Sequence, residues 1–209
     1  MKKLTVFLFL TLFYSFVNAK DSDFTTWTNW TANVKLCDKV SVAGTLEYRT
    51  KDSASQTDRW NFRSAVTYKL LPYFNIGAGY ELQLLQNNSH WNNRHRYQVS
   101  LGENFSAGRF SFTFRERFQH TIDSGDNDFQ LRTRAQVKFK ACELARPYTY
   151  VEFFNSLNKE NSFDLLHTRC FFGTELKINS VVSVSPYYGL CIYEDKLKHV
   201  AGVDFNFYF

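Results

Sequence analysis

Arginine recurs at every second position in several stretches of this sequence. Arg94 and Arg96, Arg115 and Arg117, and Arg132 and Arg134 form such pairs, and Arg49, Arg59, Arg63 and Arg169 stand in comparable polar–apolar alternations. Residues two apart share one face of an extended strand, so each pair aims two guanidinium groups the same way. A guanidinium offers a rigid fork of N–H donors that fits a carboxylate or phosphate. Glu47, Glu81, Glu152 and Glu175 fall in phase with these arginines. Two chemistries suit the set: a wall that binds anions, or an Arg–Glu network that satisfies buried charge. The histidines His90, His95, His120, His167 and His199 offer less. Nucleophilic catalysis needs a nucleophile, a base and an orienting partner in reach of one another, and no Gly-x-Ser-x-Gly element supports that. Zinc-ligand spacing and a glycine-rich phosphate loop are also missing from the sequence. No enzyme, metal or cofactor is therefore expected, and a lipid-modifying enzyme built on rim histidines is the weaker alternative.

The elements that position these residues are strands. Trp60, Phe62, Val66, Tyr68 and Leu70 alternate with Arg59, Asn61, Arg63, Thr67 and Lys69. Phe110, Phe112, Phe114 and Phe118 alternate with Arg109, Ser111, Thr113, Arg115, Arg117 and Gln119, and residues 128–140 repeat the arrangement. Helix-period stretches are hard to find. Strands are expected near 40–50, 59–70, 74–86, 93–104, 108–119, 128–140, 147–156, 163–176, 181–193 and 198–209, ten in all. Tight connectors should alternate with longer polar ones, as in barrels with short turns at one end and loops at the other. Residues 24–36, with Trp27, Trp30 and Val34, form an eleventh candidate. Because single-chain bacterial barrels use even strand numbers, this segment is expected to be a partial strand or plug, or half of a pair in a twelve-stranded barrel.

The two ends bound the interpretation. Met1-Lys2-Lys3, an apolar run from Leu4 to Val17, and Asn18-Ala19 before Lys20 read as a cleaved signal peptide. The domain reading is thus a signal peptide at 1–19, an N-terminal segment at 20–39 and a transmembrane β-barrel at 40–209. Val203, Phe205, Phe207 and Phe209 are apolar at every second position of the last strand, and the terminal aromatic suits recognition by a barrel-assembly machinery. The composition is 44% hydrophobic and 18% aromatic, yet the mean hydropathy is −0.37, so polar and apolar residues are finely interleaved. Lipid-facing and lumen-facing residues that alternate along each strand average in this way. The fold class expected is all-β, an antiparallel up-and-down transmembrane barrel in a bacterial outer membrane, in contact with its lipid. A formal charge of +5 does not by itself argue for nucleic acid, and none is expected as a partner.

The polar-face residues also carry a likeness to a known family. Trp27, the Glu47-Tyr48-Arg49 run, Arg59 with Asn61, Phe62 and Arg63, and His95-Arg96 match it in order. So do Arg115 with Arg117, Arg132 with Arg134, Pro147 with Glu152 and Phe154, and Arg169 with Gly173. Over essentially the whole mature chain the sequence resembles the outer-membrane proteins grouped as domain of unknown function 2490. The resemblance implies a barrel in the outer membrane and brings no established activity with it.

With the apolar faces turned to lipid, the inward cations are Arg49, Arg59, Arg63, Lys69, Arg94, Arg96, Arg109, Arg115, Arg117, Arg132, Arg134, Lys138, Lys140 and Arg169. The inward acids are Glu47, Glu81, Glu152, Glu175 and Asp204. A positive lumen attracts anions, and rings of Arg or Lys select for them in pores. The expectation is a narrow channel or binding barrel for a small anionic solute such as an acidic sugar fragment or small carboxylate. A non-conducting structural barrel is the alternative, since a narrow barrel can be filled by its own side chains. Aromatics near strand ends (Trp60, Tyr68, Tyr73, Trp91, Tyr148, Tyr188, Tyr193 and Tyr208) are expected in interfacial girdles. Cys37, Cys142, Cys170 and Cys191 allow three pairings. The strand phase turns Cys170 outward and Cys191 inward, which favours four unpaired thiols.

Overall fold

The computed structural model describes residues 21–87, 90–158, 160 and 163–209. The signal peptide expected at 1–19 lies outside the described residues. Eleven strands form one closed barrel: β1 (Asp21–Lys35), β2 (Val40–Lys51), β3 (Gln56–Lys69), β4 (Phe74–Asn87), β5 (His90–Ala107), β6 (Phe110–Asp123), β7 (Asp126–Phe139), β8 (Ala145–Ser156), β9 (Leu165–Lys177), β10 (Val182–Tyr193) and β11 (Lys196–Tyr208). Consecutive strands pair antiparallel, and β1 closes on β11 in parallel, from Asp21 opposite Lys196 to Asn33 opposite Tyr208.

Ten of the strands lie where hydrophobic alternation puts them, and the count is corrected to eleven. The segment expected as a partial strand or plug is a full wall strand, β1. An odd number of up-and-down strands leaves the first and last pointing the same way, so closure requires one parallel pair; the even-number rule was the wrong guide here. At one rim the backbone N–H of Ala54 donates to the Phe24 carbonyl, and at the other Phe209 N–H donates to the Asn33 carbonyl. These are the N-terminal and C-terminal rims below.

Connectors at both rims are short, because the strands run through most of the polar segments that read as loops. Ser124 (φ 52°) and Gly125 (φ 97°) form one two-residue turn, where two successive left-handed residues match the strand twist of a tight hairpin.

The barrel is polar inside and apolar outside. Thirteen polar residues but only five apolar ones are buried among the described residues, whereas Phe62, Val66, Val99, Leu101, Phe114, Phe118 and Phe172 are exposed on the outer wall. A water-soluble core shows the reverse distribution. Two outer-wall carboxylates break the pattern. Glu103 of β5 stands opposite Phe74 and Phe114, and Glu116 stands between Phe114 and Phe118 at the middle of β6, opposite Leu101 and Thr133, where it accepts a 2.8 Å hydrogen bond from the Thr133 hydroxyl.

Candidate functional site

The interior charges are organised around four glutamates. Register sets Glu152 of β8 opposite Arg134 of β7 and Arg169 of β9, and it sets Arg115 and Arg117 of β6 opposite Arg134 and Arg132. Glu152, fully buried, accepts from Arg132 Nη2 at 2.6 Å, Arg134 Nε at 2.7 Å and Arg115 Nη2 at 3.4 Å, with Arg169 Nη1 at 4.0 Å. Glu81 takes Arg63 Nε at 2.5 Å and Arg96 Nη1 at 3.3 Å. Glu47 pairs with Arg49, lies 3.8 Å from Arg63 Nη2 and accepts from Asn61 Nδ2 at 2.5 Å. Glu175 holds Lys138 and, at 3.7 Å, Arg146. Each carboxylate thus pairs with at least two cations, which gives the buried acid its counter-ions and leaves the cluster net positive.

Aromatic faces take up guanidinium faces as well. Arg49 lies 3.8 Å over Trp27, Arg134 lies 4.1 Å over Tyr150, and Arg132 and Arg169 both cover Phe154.

Some cations expected inside sit elsewhere. Arg109 and Lys140 lie in connectors at the C-terminal rim, where Lys140 pairs with Glu143. Arg94 and Arg59 keep the inner phase near the opposite rim, where Arg94 pairs with Asp123 and Arg59 with Asp58 at 2.7 Å. Arg146, which the sequence reading left out, points inward. Arg117 is different from all of these: it has no carboxylate partner among the described residues, and its Nε, like that of Arg115, is buried without a hydrogen-bond acceptor.

An aromatic cluster fills the other part of the interior. Phe171 stacks on Tyr150 at 5.1 Å and meets Trp27 and Tyr187 at 5.6 Å each. Glycines make room for it: a Cβ on Gly189 would lie 2.5 Å from the Phe171 ring, and one on Gly202 would strike the Tyr187 ring. Close approach of a ring to backbone is one reason for glycine inside a strand, and that is the sequence signal that could have located this cluster. With Asn61, Gln83, Gln98, Gln119, Glu152 and Cys191 also buried, ten of the eleven strands contribute a residue less than a tenth exposed.

Toward the C-terminal rim a cavity of about 370 Å³ remains, reaching Tyr208. Arg115, Arg117, Arg132 and Arg134 of β6 and β7 line one side, Asn29, Thr31, Asp204 and Asn206 of β1 and β11 line the other, and Arg49, Arg63 and Arg169 stand between them. Tyr148 and Tyr208, expected in a girdle, face this chamber, and Tyr193 packs inward against the Phe171 cluster. They are period-2 aromatics on the inner phase, and strand-end position alone could not distinguish the two faces.

His95, His120 and His199 are on the outer wall, bonded to Tyr80, Asn127 and Tyr188, and His167 is stacked inside between Phe154 and Tyr193. No group of three or more His, Cys, Asp or Glu side chains placed to hold a metal occurs among the described residues. Cys170 opposes Leu190 and Cys191 opposes Arg169, on opposite faces, and all four cysteines are free. Phe205 and Phe207 lie on β11, and Phe209 follows it, exposed and tied to Lys35 and Asn33 by backbone hydrogen bonds.

The family described as "Protein of unknown function (DUF2490)" matches residues 24–191. No curated protein matches. Among solved structures, one described as outer-membrane expressed OmpT of Vibrio cholerae aligns with TM-score 0.43 and 9% identity over 73% of this chain; this chain spans about half, 53%, of that protein's length. A second, from work on the in-meso crystallisation of membrane proteins, aligns with TM-score 0.40 and 13% identity over 83% of this chain and 79% of its own.

Proposed function

We propose, from the premise that this chain belongs to the DUF2490 family, that it is an outer-membrane β-barrel that binds a small anionic solute in its arginine-walled chamber. The membrane part of the reading is supported by the outer wall. Strands of 12 to 18 residues exceed the 9–11 needed to cross a bilayer, closure leaves no free edge, and the exposed face is apolar. Lipid is the solvent that such a face requires. Phe205, Phe207 and Phe209 are the proposed assembly signal, read by the barrel-assembly machinery during biogenesis.

Glu116 tests which face meets lipid. A carboxylate amid Phe114, Phe118 and Leu101 is costly in hydrocarbon, so Glu116→Leu is expected to stabilise the barrel by about 1 kcal/mol or more in phosphatidylcholine vesicles. Urea unfolding in those vesicles measures it, and an unchanged or lowered midpoint would mean that this wall does not face acyl chains.

The anion reading rests on Arg117, a chamber cation with no carboxylate partner among the described residues. An uncompensated interior guanidinium favours an anionic ligand. Isothermal titration of the detergent-refolded barrel with a panel of small anions at fixed ionic strength is the direct test. At least one should bind with a sub-millimolar Kd, and Arg117→Gln should weaken it about tenfold, about 1.4 kcal/mol. If none binds, the charge network is structural only, a role favoured by the multiple pairing of all four glutamates.

A further inference from the structure

The chamber has two unlike walls. Arg115, Arg117, Arg132 and Arg134 come from β6 and β7, while Asn29, Thr31, Asp204 and Asn206 come from β1 and β11, with Arg49, Arg63 and Arg169 on the strands between. In the closed order β6 stands five strands from β1 one way round and six the other, so these walls face each other across the lumen.

Each wall carries a hydrogen-bonding atom that the protein leaves unused, and the two are opposite in kind. Arg115 Nε, Arg117 Nε and Arg132 Nε are buried donors without acceptors, as is Arg169 Nε on β9. Across the lumen Asn29 Oδ1 is a buried acceptor without a donor. The orientation of that amide is fixed chemically: its Nδ2 donates to Asp204 Oδ1 at 2.6 Å, which leaves Oδ1 turned to the other side. A buried donor or acceptor left unpaired costs about 1–3 kcal/mol, so a ligand that satisfies both walls is favoured over one that satisfies a single wall. An unprotonated inorganic anion such as chloride or sulfate brings acceptors only and can answer the arginines but not Asn29.

Building on the anion-binding reading above, we infer that the chamber takes a hydroxylated organic anion, a sugar acid, with its carboxylate at Arg115 and Arg117 and its hydroxyls at Asn29 and Asp204. One hydroxyl donates to Asn29 Oδ1, a second donates to the Asp204 carboxylate, and either accepts from side chains such as Thr31, while the charge stays on the far wall. The tyrosine hydroxyls of Tyr148, Tyr187 and Tyr208 border the same space. At about 370 Å³ the chamber is of the size of a small-ligand site, which suits a monomeric sugar acid rather than a long chain.

The test is titration of the refolded barrel with three probes at fixed ionic strength: glucuronate, cyclohexanecarboxylate and glucose. They carry a charge with hydroxyls, a charge alone and hydroxyls alone. Glucuronate is expected to bind at least tenfold more tightly than cyclohexanecarboxylate, with glucose weaker than both. Asn29→Ala should reduce the glucuronate advantage to under threefold and leave cyclohexanecarboxylate unchanged, whereas Arg117→Gln should weaken both carboxylates. Equal binding of the two carboxylates, or glucose binding as tightly as glucuronate, overturns the sugar-acid class. In the first of these cases anion binding itself stands. Binding of neither carboxylate removes the anion site as well. If Asn29→Ala does not fold, the three probes on the native chain decide.

Discussion

Glu152→Gln is expected to cost the barrel at least 3 kcal/mol. This carboxylate is the shared counter-ion of Arg115, Arg132, Arg134 and Arg169, drawn from β6, β7 and β9, and it is fully buried. The amide keeps the shape and one acceptor oxygen but removes the charge, leaving four guanidinium groups crowded together without compensation. Removing one partner of a buried pair typically costs about 3–5 kcal/mol, and here four cations lose the same partner. Against a total stability of about 5–15 kcal/mol, that loss is enough to deplete the folded form. Heat-modifiable gel mobility and urea unfolding read the effect. Glu152→Asp, which keeps the charge on a shorter arm, should recover part of it, and pairing Glu152→Gln with Arg132→Gln should recover more. Glu143→Gln, which removes the exposed partner of Lys140, should change nothing measurable. A Glu152→Gln barrel as stable as the parent would mean that the cluster does not depend on this carboxylate.

The cluster was legible in part because strand phase alone fixes which side chains meet. Once Arg115, Arg132, Arg134, Glu152 and Arg169 are on the inner phase of adjacent strands, antiparallel pairing must bring them together. The strand count was less legible. On β1 the outward face carries Trp30, Ala32 and Val34, but the inward face carries Trp27 among Asn29, Thr31 and Asn33, so the contrast between faces is weak. The inward Trp27 has its own reason, since it carries Arg49 on its ring and packs against Phe171, and both contacts are long-range. Asn29 and Asp204 illustrate the same limit. They lie 175 residues apart and meet only because β1 closes on β11, an event that no local pattern encodes. The connectors misled for a different reason: Asn, Asp and Ser mark solvated backbone, and solvated strand ends beyond the apolar belt carry them as readily as loops do.

Removing the Phe171 and Tyr187 rings together is expected to turn a silent barrel into an anion-selective pore. An eleven-stranded wall encloses more space than the eight-stranded one that side chains just fill, so what closes this lumen is the particular set of residues turned inward. Phe171 of β9 and Tyr187 of β10 are among the bulkiest of those, and both lie over glycines, so truncating them leaves bare backbone beneath rather than a neighbour able to collapse into the gap. The path opened would run past Arg115, Arg117, Arg132 and Arg134, whose charge sets the selectivity. In a planar bilayer across a salt gradient, the parent should give no resolved steps, and Phe171→Ala with Tyr187→Ala should give stable steps with a reversal potential on the anion side. Arg117→Glu in that background should shift it toward cations. Each truncation also removes buried aromatic surface at a cost of about 3–5 kcal/mol, so folding must first be shown by heat-modifiable mobility, with Phe171→Leu as the milder variant. Large stable steps from the parent would mean that the buried layer is no seal. A folded, silent double variant would place closure on the Glu–Arg clusters instead, and Glu81 with Arg63 and Arg96 would be the next constriction to open.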